Sequence, residues 1–70
     1  MRLAVVNLET GLFMSEVQWT PEIKHARTFP NPEIASAAAS YKNVKNAAAV
    51  MLNDKFASVG FIWLTNPNPH

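Results

Sequence analysis

NPEIASAAASYKNVKNAAAVML, residues 31 to 52, carries the decision about this fold. Asn31 is a good N-cap, because its side-chain oxygen accepts from a free backbone N–H of the first helical turn. Pro32 suits the first helical position, where its missing N–H costs nothing. Glu33 suits the positive end of the helix dipole. Downstream, Ile34, Ala37, Ala38, Tyr41, Val44, Ala48, Met51 and Leu52 fall on one stripe at helical spacing. Ser36, Asn43, Asn46, Asn53 and Asp54 lie off it. Lys45 sits inside it, so either its stem snorkels along the surface or the helix breaks near Tyr41-Lys42-Asn43. The high helix propensity of alanine favours one continuous rod.

The same start phrase occurs earlier. Thr20-Pro21-Glu22-Ile23 resembles Asn31-Pro32-Glu33-Ile34, and an alanine follows each isoleucine by three residues. Two helix starts account for the likeness; the segments beyond Ala26 and Ala37 share nothing, and repeat architectures need three or more units. The first helix is short, one to two turns over residues 21–26. Pro30 biases the residue before it toward extended backbone, which makes Arg27 to Phe29 a short extended piece.

Strands flank this central region. Arg2 to Leu8 is apolar and β-branched, with Leu3, Val5 and Asn7 on one face and Ala4, Val6 and Leu8 on the other; two apolar faces predict a central strand. A turn at Glu9-Thr10-Gly11 leads to a second strand from Leu12 through Val17 to Trp19. Phe56 to Thr65 is rich in aromatic and β-branched residues and predicts a last strand. Strict alternation places Phe56, Ser58, Gly60, Ile62 and Leu64 on one face, and Ala57, Val59, Phe61, Trp63 and Thr65 on the other. Both faces being apolar, this strand is central or meets a partner, and Gly60 lets the alanine-rich helix approach closely.

The expected fold class is therefore α+β. A small antiparallel sheet of three to four strands packs against one long α-helix, with an extra short helix, in the order ββ(α)βαβ. Residues 1–65 form one domain and residues 66–70 an extended C-terminal tail.

Bulk properties exclude several functions. Seventy residues allow one core of marginal stability. There is no cysteine, so disulfides and thiolate metal sites are excluded, and His25 and His70 are too few for a closed zinc site. No metal and no cofactor is expected. Self-association into a homodimer is the remaining stabilising supplement. Net charge is +1, with six Lys and Arg spread along the chain, which argues against a nucleic-acid binder. No apolar run approaches the ~20 residues that cross a bilayer, and the N-terminus lacks a signal-peptide core, so the expectation is a soluble, cytoplasmic protein.

No catalytic signature is present, and an enzyme is not expected. His25 has only Glu22 near it in sequence and no nucleophile. The serines lack a nucleophile-elbow context, and two glycines cannot make a phosphate-cradling loop.

Trp63 in Phe61-Ile62-Trp63-Leu64 points elsewhere. One helix covers one face of a small sheet, so Val59, Phe61 and Trp63 either face water or are buried by a hairpin that curls over them within the monomer; if exposed, such patches mark interfaces, and Trp is enriched in binding hot spots. The candidate protein interface is Val59, Phe61 and Trp63 with Trp19, and with Lys24 and Arg27 at its rim. The alternative is a small nucleic-acid-binding or regulatory protein, with Trp19, Tyr41 and Trp63 stacking bases.

Trp19-Thr20, Ile23, Ala26 and Phe29 stand in the places of a W-T-x-x-I-x-x-A-x-x-F segment. A hairpin before such a segment and an alanine-rich helix after it resemble short phage-encoded accessory proteins. The resemblance implies a mobile-element protein that binds and inhibits a host protein, such as an anti-CRISPR or other anti-defence inhibitor.

Overall fold

A computed structural model describes residues 2–16, 18–55 and 57–64. The expectations for Val17, Phe56, Thr65 and the tail at 66–70 lie outside these residues. Among the described residues, the chain forms one antiparallel sheet of six strands and a single α-helix. The strands are β1 (Arg2–Asn7), β2 (Leu12–Met14), β3 (Trp19–Thr20), β4 (Thr28–Phe29), β5 (Ala47–Leu52) and β6 (Ser58–Trp63); the helix α1 is Pro32–Tyr41. The sheet runs β3-β2-β1-β5-β6, and β4 pairs with β1 beside β2. The expectation of a small sheet under one long helix is thus overturned: the protein is mostly sheet.

The error lies between residues 42 and 52. The start of α1 follows the sequence rule, with the Asn31 side chain accepting from the Ile34 N–H at 3.0 Å and Pro32 in the first turn. The end comes after ten residues. Asn43 adopts φ 59°. The Asn43 N–H donates to the Ser40 carbonyl at 3.0 Å, and the Val44 N–H to the Ala39 carbonyl at 3.1 Å. These two bonds form a Schellman cap, and buried Val44 and Ala39 supply the apolar contact that accompanies it. Asn tolerates the left-handed conformation better than other non-Gly residues. Replacing Asn43 by Ala is expected to cost about 1 kcal/mol, whereas Asn43→Gly is tolerated; urea melts in which the Ala variant matches the Gly variant would refute the cap.

Alanine's helix preference then loses to pairing. Residues 47–52 run antiparallel to β1 over six positions, from Arg2↔Leu52 to Asn7↔Ala47. A helix continuing through 52 would leave that edge of β1 without partners, and buried backbone groups must be paired. Ala47, Ala48 and Ala49 are all buried, so their small side chains are set by packing and not by propensity.

The expected helical stripe is also rotated. Ala35 and Ala39 are the buried residues of α1, while Ile34 is 47% and Tyr41 84% exposed. Two alanines facing the sheet let the helix lie close over Ala47 and Ala49. Around them Leu3, Val5, Met14, Phe29 and Val44 complete the core, with Trp19, Ala38, Met51 and Leu64 at its margin.

Three smaller expectations change. The second strand does not run through to Trp19: β2 and β3 are separate and antiparallel, paired Phe13↔Thr20 and Met14↔Trp19. The Ser15 hydroxyl donates to the Gln18 carbonyl and closes the turn between them. The first helix shrinks to a 3-10 turn, Ile23–His25, without a side-chain cap; the Thr20 hydroxyl accepts instead from the Glu22 N–H at 3.1 Å. Finally, of the two readings for the last strand, central or meeting a partner, the first falls, because β6 lies at the edge of the sheet.

Candidate functional site

Helix α1 covers one face of the sheet. The other face carries Ala4, Val6, Phe13, Ala48, Val50, Leu52, Phe61 and Trp63, as the registers Val6↔Phe13, Val6↔Ala48, Ala48↔Trp63 and Val50↔Phe61 require. The small residues at its centre, Ala4 and Ala48, are buried. Val6 and Leu52 are buried on this face as well, Phe13 and Val50 are half-buried, and the residues open to water are those of β6. Phe61 is 60% and Trp63 57% exposed. Their rings meet edge to face with centroids 5.7 Å apart, a favoured aromatic geometry.

The hairpin between β5 and β6 presents these two rings. Asn53 builds its turn: the side-chain Oδ1 accepts from the Lys55 N–H at 2.8 Å and the Ala57 N–H at 3.0 Å. A register shift between Met51 and Leu52 follows, with Met51 opposite Gly60 but Leu52 opposite Ser58. The extra residue, Val59, sits in the bulge at 64% exposure. The shift breaks the expected alternation, so Ser58 joins Phe61 and Trp63 on the open face. Gly60 serves a neighbour other than the expected helix: a Cβ there would meet the Met51 methyl at 2.6 Å.

Phe61, Trp63 and Ser58 form with Val6, Leu8, Ala48 and Val50 a shallow cleft of about 280 Å³. Its lining holds no charged residue, and Ser58 is its one polar side chain. Such a surface offers apolar contact and no acid, base or nucleophile. Val6 and Leu8 were placed on a common strand face by alternation. Ala48 and Val50 fall within the expected helix, so alternation does not group them with this face. The signal existed: a six-residue apolar run between Lys45-Asn46 and Asn53-Asp54 has the length and bounding residues of a buried strand.

The other candidate interface residues stand apart from this cleft. Trp19 in β3 is half-buried against the core on the helix side of the sheet. Lys24 lies exposed in the 3-10 turn. Arg27 is exposed, its N–H donating to the Met14 carbonyl at 2.9 Å and its guanidinium 5.3 Å from the centre of the Phe29 ring. Arg27 instead borders a groove of about 410 Å³ beside α1, together with Glu16, Ile34, Tyr41 and Lys42. Trp19, Lys24 and Arg27 therefore do not rim the Phe61–Trp63 surface.

His25 is exposed. Among the described residues no group of three His, Cys, Asp or Glu could hold a metal ion, and no helix is long and apolar enough to cross a membrane. No protein-family model, no curated protein and no solved structure matches this chain.

Proposed function

We propose that the protein is a non-enzymatic binding module that engages another protein through the open face of β5 and β6. The observation that supports it is the exposure of Phe61 and Trp63 over an uncharged cleft. Natural monomers seldom leave paired aromatics uncovered on a sheet unless something else covers them. The resemblance at Trp19 to Phe29 makes a phage or mobile-element inhibitor of a host protein, of the anti-defence kind, the proposed class. The nucleic-acid alternative draws no support from this surface, since no Lys or Arg lines it.

Magnitudes say how this surface works. Two aromatics of roughly 150–250 Å² each, somewhat over half exposed, offer roughly 4–7 kcal/mol of gross burial. Association itself costs about 4–15 kcal/mol. The aromatic pair is an anchor and needs further contact to hold a partner.

The test is capture from a bacterial lysate with the intact chain and with a Phe61→Ser/Trp63→Ser variant. Both residues are largely exposed, so the double variant is expected to stay folded. A partner retained in stoichiometric amount by the wild type is expected to be lost from the variant. Equal retention by both chains would refute this surface.

A further inference from the structure

The outer edge of β6 is the feature that the binding-module reading leaves unused. We infer that β6 pairs antiparallel with β6 of a second copy, joining two sheets into one across a two-fold axis at Ile62. This goes beyond that reading by naming the occupant of the edge, and it leaves the Phe61–Trp63 face free for another protein.

The backbone sets the geometry. The Leu64 N–H donates to the Ala47 carbonyl at 3.0 Å. Bonding directions alternate along an antiparallel ladder. With Ile62 opposite Ala49, the N–H and C=O of Ile62 turn toward β5, and those of Phe61 and Trp63 turn to the open edge. No strand among the described residues pairs with that edge. Edge strands are normally blunted by charge, proline or brevity. The segment Ser58–Trp63 has six residues, no charge and no proline. Its one irregularity, the bulge at Val59, lies at the end away from Phe61 and Trp63.

Self-complementarity selects a second copy. The two open positions are separated by one residue. A two-fold axis at Ile62 sets Phe61 opposite the partner's Trp63 and Trp63 opposite the partner's Phe61, so both pairs exchange N–H···O bonds at once. The four rings then lie on one sheet face as cross-strand aromatic pairs, a favourable combination. An isologous contact of this kind is the commonest route to a homo-oligomer. A net charge of +1 gives little repulsion between copies. The exposed parts of Phe61 and Trp63 supply roughly 200–300 Å² per copy, against about 800 Å² per partner in a stable interface. Backbone pairing over residues 60–64, the part of the described chain that this register sets opposite itself, adds contact that the rings alone lack.

The chain has no cysteine, which makes the register directly testable. At the axis, residues 62 of the two copies would stand about 4.5 Å apart at Cα, within disulfide reach. Residues 58 would stand roughly 26 Å apart. The unmodified chain is expected to run at twice its 7.8 kDa mass in size-exclusion with light scattering, over a concentration series reaching the millimolar range. Ile62→Cys is expected to cross-link under mild oxidation and Ser58→Cys to stay uncross-linked. A synthetic chain N-methylated at the Phe61 amide loses only an edge donor and is expected to be monomeric. A wild type that stays monomeric throughout, cross-linking at 58 equal to that at 62, or a dimer that survives N-methylation would each overturn the inference. A monomer that still captures a partner through Phe61 and Trp63 refutes the dimer alone; a dimer whose capture ignores those rings refutes the binding-module reading alone.

Discussion

Leu3→Ala is expected to remove most of the stability of this protein. Leu3 is fully buried, paired with Phe29 on one side and Met51 on the other, beneath α1. Deleting its branched end leaves a cavity in the centre of the core, and such changes cost about 2–5 kcal/mol. A chain of 70 residues holds only about 3.5–10 kcal/mol in total. The urea midpoint by circular dichroism is therefore expected to fall by at least ~1 M, with part of the population unfolded before denaturant is added. An unchanged midpoint would mean that Leu3 is not at the centre of the core.

Ala49→Leu is the second large effect, and it separates the observed fold from the expected one. Ala49 is fully buried in β5, between Val5 and Ile62 on the face that α1 covers. Three added carbons there must push the helix from the sheet or force neighbours off their rotamers, at a cost of about 1–3 kcal/mol. In a helix through residue 52, position 49 lies off the apolar stripe and accepts leucine readily. Ala37→Leu is the control: Ala37 is exposed on α1, and leucine there is expected to leave stability within about 0.5 kcal/mol of wild type. Equal urea midpoints for the two variants would restore the long-helix picture.

Much of the sheet was legible. The strand at residues 2–7 follows from an apolar, β-branched run, and the turn after it from Gly11, which takes φ 75°. The start of α1 follows from Asn31 and Pro32. The stretch from 42 to 52 was misread because alanine satisfies either secondary structure, and propensity is a weak prior that tertiary context overrides. Ile34 and Tyr41 also pulled the expected helical face toward themselves. Among so many alanines the large residues looked like core, whereas the close helix–sheet approach buries Ala35 and Ala39 instead.

The site divided in the same way. Counting faces left two readings for Val59, Phe61 and Trp63, open to water or folded under by the hairpin, and the structure has them exposed. Grouping Trp19, Lys24 and Arg27 with them fails, because sequence alone gives no strand order. With β3 and β6 at opposite edges, the two groups end at opposite sides of the sheet.

By itself, then, the sequence determined some local events: where α1 begins, that a turn falls at Gly11, and that the runs at the two ends of the chain prefer extended backbone. Each depends on a few neighbouring residues, on caps, proline and β-branching. The end of α1 belongs there too, since Asn43 is a local signal that alanine propensity concealed. Only the tertiary structure decided that residues 47–52 are a strand, which face of α1 is buried, and that β6 lies at the edge. Those outcomes turn on pairing and packing between segments dozens of residues apart. There the free energy of completing the edge of β1 and closing the core outweighs the preference of any short stretch taken alone.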